Sequence, residues 1–316
     1  MVHGARGVRA SIRAMVTRTV AATLLVLALQ TSAATALADS SSPHLASYYD
    51  RHMALQGDVA YGWSGRAEPR RQRAGVVQVG VGKDASYALL TDGALLRWTD
   101  APETATTLMR GVVRFAAGAS GWFAIDGAAV LWHGGNGTDT PRRVAADVLE
   151  ACIGDSADYY IMRDGALYAH GLAHRGQYGD GKLTATPGFV ATASDAVAVR
   201  AHTGHALHLR RDGVVVGTGG NRFGPLSGHG LGDKADRWGR LFDGAVAIAT
   251  GSRHSLAIRA DGSLWAWGEG FTIAPAKLLE KVTAVAAGDS ATIARAADGA
   301  LWQWDGGGAP RRLVLR

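Results

Sequence analysis

Three histidines recur in His202-Thr-Gly-His205-Ala-Leu-His208, the densest titratable cluster of the sequence. Imidazoles in such number could ligate a metal or relay a proton. In an extended strand alternate side chains face opposite ways, so His202 and His208 share one face and His205 takes the other. Six residues of strand hold the outer pair about 20 Å apart, whereas one ion needs three ligands converging from one side. No metal and no cofactor is therefore expected. Cys152 is the one cysteine; it excludes an internal disulfide and, within Ala151-Cys-Ile-Gly154, reads as a buried, inert thiol. No Gly-x-Ser-x-Gly elbow, His-Glu-x-x-His helix or P-loop occurs. Gly134-Gly-Asn-Gly137 and Gly306-Gly-Gly308 follow strand-like runs but precede no helical pattern, so they read as turns rather than phosphate cradles. No catalytic residue is assigned, and the chain is expected not to be an enzyme.

The elements that carry these residues are set by an internal repeat. Asp-Gly pairs stand at Asp92, Asp126, Asp164, Asp212, Asp261 and Asp298, at spacings of 34, 38, 48, 49 and 37 residues. Each separates two short apolar runs, the signature of a β-hairpin whose turn needs the positive φ that Gly accepts. Ten residues before the turn Asp comes Gly82, Gly154, Gly251 or Gly288, with His202 in one repeat, while Gly118 stands eight before. Six after it comes Trp98, Trp132, Trp267 or Trp304, with His170 and Thr218 as exceptions. His208 occupies the position where Ala257 and Ala294 stand, an odd residue for a packed strand. A further apolar run precedes each Gly, as in Val76–Val79 and Val282–Val285, and suits a strand covered on both faces.

A degenerate seventh hairpin surrounds Gly57-Asp58, with Trp63 six after the Gly. Pro310–Arg316 resembles the opening strand of a repeat without its hairpin. The two fragments predict closure by pairing of the N-terminal hairpin with the C-terminal strand, which would remove a free sheet edge. Repeats of this period without helical pattern define an all-β, seven-bladed β-propeller over residues 53–316, with about 38 residues per blade.

Residues 1–38 contain Arg6, Arg9, Arg13 and Arg18 and no acid, then the apolar run 20–29, then Ala36-Leu37-Ala38. That is the pattern of a signal peptide cleaved near Ala38-Asp39, leaving 39–52 as a linker. The run is too short for a membrane span. Export to the periplasm or the medium is the expected localisation. The 316-residue chain carries a net charge of +6, but the leader holds four of its 33 basic residues and none of its 27 acids. The remainder is close to neutral, which removes nucleic acid as the default partner.

The stretch 251–268, Gly-Ser-Arg-His-Ser-Leu-Ala-Ile-Arg-Ala-Asp-Gly-Ser-Leu-Trp-Ala-Trp-Gly, resembles the regulator of chromosome condensation repeat, and the likeness extends over nearly all of the chain after the leader. Gly171–Gly181 and Gly220–Leu226 resemble that family's loop after the hairpin. The family includes chromatin-bound guanine nucleotide exchange factors, ubiquitin-ligase accessory domains and an exported bacterial inhibitor of β-lactamases. The resemblance implies a seven-bladed propeller with strand-exchange closure and protein binding through blade loops. The repeat His survives only at His205 and His254, with Ala85, Ala157 and Ala291 elsewhere.

The two long repeats around Asp212 place extra residues at His174–Ser194 and Gly219–Gly244. Such insertions map to loops, often on a binding face, and Trp and Arg are enriched in binding hot spots. The candidate partner-binding residues are Phe223, His229, Arg237, Trp238 and Arg240, with Tyr178 in the first insertion and Trp122 on the shortest repeat. The expected function is an exported, monomeric protein-binding module, a scaffold or an inhibitor. Two rivals are a channel-mouth lyase or hydrolase using His202 or His208, and an effector that drives nucleotide exchange on a host GTPase.

Overall fold

The computed structural model describes residues 44–135, 140–228, 232–306 and 308–315; the expected leader, His229 and Gly137 lie outside them. Seven four-stranded antiparallel sheets follow one another along the chain, each ordered as its strands occur in sequence. Blade 1 is β1 (Leu45–Tyr48), β2 (Arg51–Gln56), β3 (Val59–Ser64) and β4 (Arg70–Arg73). Blade 2 is β5 (Val76–Val81), β6 (Ser86–Leu90), β7 (Leu95–Trp98) and β8 (Thr106–Met109); blade 3 is β9 (Val112–Ala117), β10 (Trp122–Asp126), β11 (Leu131–Gly134) and β12 (Arg142–Ala145). Blade 4 is β13 (Val148–Ile153), β14 (Ala157–Met162), β15 (Leu167–Gly171) and β16 (Val190–Ala193); blade 5 is β17 (Ala196–Ala201), β18 (His205–Arg210), β19 (Val215–Gly220) and β20 (Lys234–Phe242). Blade 6 is β21 (Ala245–Thr250), β22 (His254–Arg259), β23 (Leu264–Gly268) and β24 (Ala276–Leu279); blade 7 is β25 (Val282–Ala287), β26 (Ala291–Ala296), β27 (Leu301–Asp305) and β28 (Arg311–Leu313). The first strands touch in sequence round the ring, β25 returning to β1. They line a central channel, and Val, Ala and Gly suit them because both faces are covered.

The Asp-Gly hairpins form as the sequence predicts. Each turn Asp accepts the N–H two residues on, for example Ala94 N to Asp92 Oδ1 at 3.0 Å and Ser263 N to Asp261 Oδ1 at 2.8 Å. Gly93 and Gly262 follow at φ 79°, which gives the three-residue loop with a left-handed last residue. In blade 3 Ala129, at φ 59°, takes that conformation instead of Gly127.

The glycine ten before the turn has a different cause. It lies where one blade's backbone meets the next: a Cβ on Gly82 would come 2.9 Å from Gly118 O, on Gly118 2.7 Å from Ile153 O, and on Gly251 2.6 Å from Gly288 O. The residue after it donates across the same seam, Ser252 N to Gly288 O at 3.1 Å and Asp289 N to Tyr49 O at 3.2 Å. The repeat histidines stitch neighbouring blades as well. His205 Nε2 lies 3.0 Å from Ser255 Oγ, and His254 Nε2 lies 2.9 Å from Thr292 Oγ1.

Closure differs from the expectation. β28 pairs with β27 inside blade 7, and blade 1 opens with its own strand, β1. Among the described residues no strand is exchanged, and residues 45–52, expected as linker, are β1 and the start of β2. Side chains hold the seam instead. Trp63 Nε1 donates to Gln303 Oε1 at 3.0 Å, Gln303 Nε2 donates to Gly65 O at 2.9 Å, and Arg66 Nε pairs with Asp305 at 2.7 Å. Leu45, Ala54 and Trp63 share a core with Ile293, Leu301 and Leu313. The sequence misled because one C-terminal strand looks alike whether it ends its own blade or begins another. Gln303→Ala is expected to destabilise by roughly 2–3 kcal/mol, because it leaves the buried Trp63 N–H unpaired; the midpoint of denaturant unfolding reads this directly.

Candidate binding face at the channel mouth

Loops between first and second strands, and between third and fourth strands, emerge on one face of the ring, since successive strands alternate in direction. The first set rims the channel. Tyr48 ends β1, and Tyr49 follows it in a left-handed conformation at φ 52°. Both reach over the channel to blade 4, where Tyr48 Oη donates to Asp155 Oδ1 and Tyr49 Oη donates to Oδ2 at 2.9 Å. Thr203 Oγ1 donates to the same carboxylate at 3.2 Å and lies 3.0 Å from Ser252 Oγ.

His202 occupies the seam position that is Gly in blades 2, 3, 4, 6 and 7, so it projects a side chain where they have none. Its ring stacks on Tyr48 at 5.3 Å, and Nδ1 lies 3.1 Å from Ser252 Oγ. Burial lowers the His202 pKa, against the opposing fields of Asp155 and Asp289. Burial first, and Asp155 second, raise both tyrosines. Neutral Tyr and His around one carboxylate form a plug joining blades 1, 4, 5 and 6.

His208 is elsewhere. It packs edge-on against Trp238 at 4.7 Å, and burial pushes its pKa down to about 3. Trp238 lies on β20, which runs to nine residues, and covers His208 where Ala257 and Ala294 stand in blades 6 and 7. The two histidines therefore do not share a site, and a lyase or hydrolase at the mouth would have to work without that pair. Cys152 faces the channel at 8% exposure, and burial pushes its thiol up to about 12. Across the channel wall Arg200 pairs with Glu150. Among the described residues no group of three His, Cys, Asp or Glu is placed to hold a metal ion.

Beside the plug, on the same face, lies a cleft of about 660 Å³. One wall is the loop from β19 to β20, carrying Arg222, Phe223 and Pro225. The opposite wall is the mouth loops of blades 5 to 7 with Ser252, Arg253 and Asp289, while Arg175 enters from blade 4. Trp267 Nε1 and Ser255 Oγ both donate to Pro225 O, at 2.7 and 2.9 Å, and fix that loop to blade 6. Phe223 stays 39% exposed, with the Arg253 guanidinium 4.4 Å from its ring centre.

The other sequence candidates separate from this cleft. Tyr178 is fully buried and donates to Gly171 O at 2.8 Å, and Trp122 is 1% exposed in the core between blades 2 and 3. Neither can meet a partner. A large aromatic in an insertion looks alike in sequence whether it reaches outward or packs its own loop. Trp238 is partly buried on the core of blades 4 and 5. Arg237 is exposed and forms a backbone bridge to Asp180 of the first insertion. Exposed Arg240 pairs with Asp243 at 2.7 Å. The first insertion is the loop 172–189, after which β16 keeps the usual four residues; the second adds a loop after Gly220 and lengthens β20 to nine residues. Sequence reading missed Tyr48, Tyr49, Asp155 and Arg253, whose repeats show no excess length there, and it did not single out Arg175 within the first insertion.

Ring, plug and cleft define a seven-bladed β-propeller with one elaborated loop face. More narrowly, residues 245–271 match the Regulator of chromosome condensation (RCC1) repeat, so the chain carries that repeat. The Ultraviolet-B receptor UVR8 of Arabidopsis thaliana is 32% identical over 120 residues, 35% of this chain and 27% of the receptor. The E3 ubiquitin-protein ligase HERC2 of Homo sapiens is 31% identical over 128 residues, 37% of this chain and 3% of the ligase. The matches thus span about a quarter of the receptor and a small part of the ligase. Prp20p of Saccharomyces cerevisiae superposes with a TM-score of 0.64 at 18% identity, covering 78% of this chain and 80% of the yeast chain, a likeness of fold alone.

Proposed function

We propose that this chain is an exported protein-binding module that holds its partner in the cleft around Phe223. The carrying observation is the pairing of an exposed aromatic with a rigidly anchored loop. Phe223 is open to solvent although Trp267 and Ser255 tie down the segment that bears it. A preordered aromatic anchor costs little entropy on binding. The same fold serves protein binding in Prp20p, which is described by its binding to Gsp1p and histones. The basic start, apolar run and Ala36-Leu37-Ala38 of the leader support export, and N-terminal sequencing of the extracellular protein is expected to begin at Asp39.

Crosslinking with the secreted chain is expected to capture a stoichiometric protein partner. Phe223→Ala is expected to weaken that complex by 2 kcal/mol or more, about 30-fold in Kd, with little change in melting temperature. Arg240→Ala, outside the cleft, is expected to leave it unchanged. Equal binding by Phe223→Ala and the unmodified chain would remove the cleft from the interface. Prp20p's binding to Gsp1p keeps nucleotide exchange as a second reading, and faster nucleotide release from a host GTPase would establish it.

A further inference from the structure

The cleft carries more positive charge than its surroundings balance. Its lining includes the cations Arg175, Arg222, Lys234 and Arg253 against the carboxylates Asp233 and Asp289. Arg253 is already held by Glu269 at 2.9 Å. Among the described residues, Arg175, Arg222 and Lys234 form no ion pair. The Arg175 guanidinium lies over the Gly204 backbone, its Nη1 3.0 Å from where a Cβ would stand. A planar guanidinium offers paired donors that match a carboxylate.

The apolar surface lies alongside. Ile273 is 64% exposed and stands 3.4 Å from the Cβ position of Gly224, next to Phe223. Phe223 and Ile273 thus form an open apolar step beside three cations that form no ion pair among the described residues. The volume of about 660 Å³ suits a guest of a few residues.

We propose that the guest is an acidic, extended segment of a partner protein. Its carboxylates pair with Arg175, Arg222 and Lys234, and an apolar side chain lies on Phe223 and Ile273. The proposal rests on the protein-binding reading above. Charge complementarity gives such a segment both orientation and a fast encounter. Asp233 and Asp289 oppose a continuous polyanion more than a peptide whose carboxylates can be spaced around them, which favours protein over nucleic acid.

The probe is a fluorescein-labelled octapeptide of alternating Glu and Leu, read by anisotropy on the intact chain. Saturable binding is expected, weakening about tenfold or more between about 50 and about 500 mM salt. Arg175→Glu and Arg222→Glu are each expected to weaken it by a similar factor, with circular dichroism unchanged. Equal binding of the Gln/Leu peptide, absence of saturation by about 1 mM, or tighter binding of an oligothymidylate would each overturn the proposal. A crosslinked partner kept by both charge reversals but lost on Phe223→Ala sinks the acidic guest and spares the protein-binding reading. Binding of the Glu/Leu peptide without any protein partner does the reverse.

Discussion

Acidification from pH 7 to pH 4 is expected to unfold the propeller cooperatively. Four buried histidines drive this. Burial pushes His52 and His254 down to about 4, and His205 and His208 down to about 3. Around His205 the fields of His202 and His254 act in the same direction, and around His208 that of Arg210 does. Asp50 and Asp305 oppose the shift at His52, and Asp289 opposes it at His254. In the unfolded chain each imidazole returns to about 6.5. Below that pH the unfolded state binds protons that the folded state refuses. Stability is therefore full above about 6.5 and falls as pH drops toward 4. The loss at pH 4 is on the order of 3 kcal/mol per histidine. Four such losses rival the 5–15 kcal/mol that stabilises a whole domain.

Asp158 works in the opposite sense. Burial raises its pKa to about 7, so the folded state gains stability as pH falls from 7 toward 4, and one of the four losses is offset. Urea midpoints measured from pH 8 to pH 4 check the balance. A flat profile would show that these imidazoles are solvated. His208→Leu, which needs no hydrogen bond replaced, is expected to move the acid midpoint down.

Trp267→Ala is expected to cost about 3–5 kcal/mol, the usual range for emptying a core tryptophan site. Trp267 is fully buried and stacks on Phe242 at 5.8 Å. Its second effect is more specific. Its indole N–H anchors Pro225, two residues from Phe223, so the loop should loosen and partner affinity fall with it. Trp267→Phe separates the two roles. It keeps a ring and removes the donor, so about 1 kcal/mol of stability should go, together with faster proteolysis between residues 221 and 233. Unchanged proteolysis would assign loop order to Ser255 alone.

These residues also show where sequence reading succeeds and where it stops. The Asp-Gly turns, the seam glycines and the blade tryptophans recur at fixed offsets, so seven-fold β architecture was legible from spacing alone. Their physical causes, an Asx turn and a backbone contact between blades, act locally or at a constant register. The mouth plug was not legible. Tyr48, Asp155 and Thr203 come from three blades and meet only because the ring closes. Phe223 was found through the excess length of its repeat, whereas Arg175 and Arg253 joined it through tertiary proximity. Trp122 and Tyr178 were misplaced because composition marks hot spots and core aromatics with the same residue types.

Among the described residues each blade's four strands are contiguous in sequence, with none lent to a neighbour. Circular permutation therefore has an unusually wide choice of cut sites. Leu313 already packs with Leu45, so a short linker between residues near them could join blade 7 to blade 1. New termini could then open between β16 and β17, or at another blade boundary away from the cleft, without dividing a sheet. In a propeller clasped by strand exchange, one blade would always be assembled from both ends of the chain. Here the order of blades along the polypeptide is free to rotate while every pairing in space is kept.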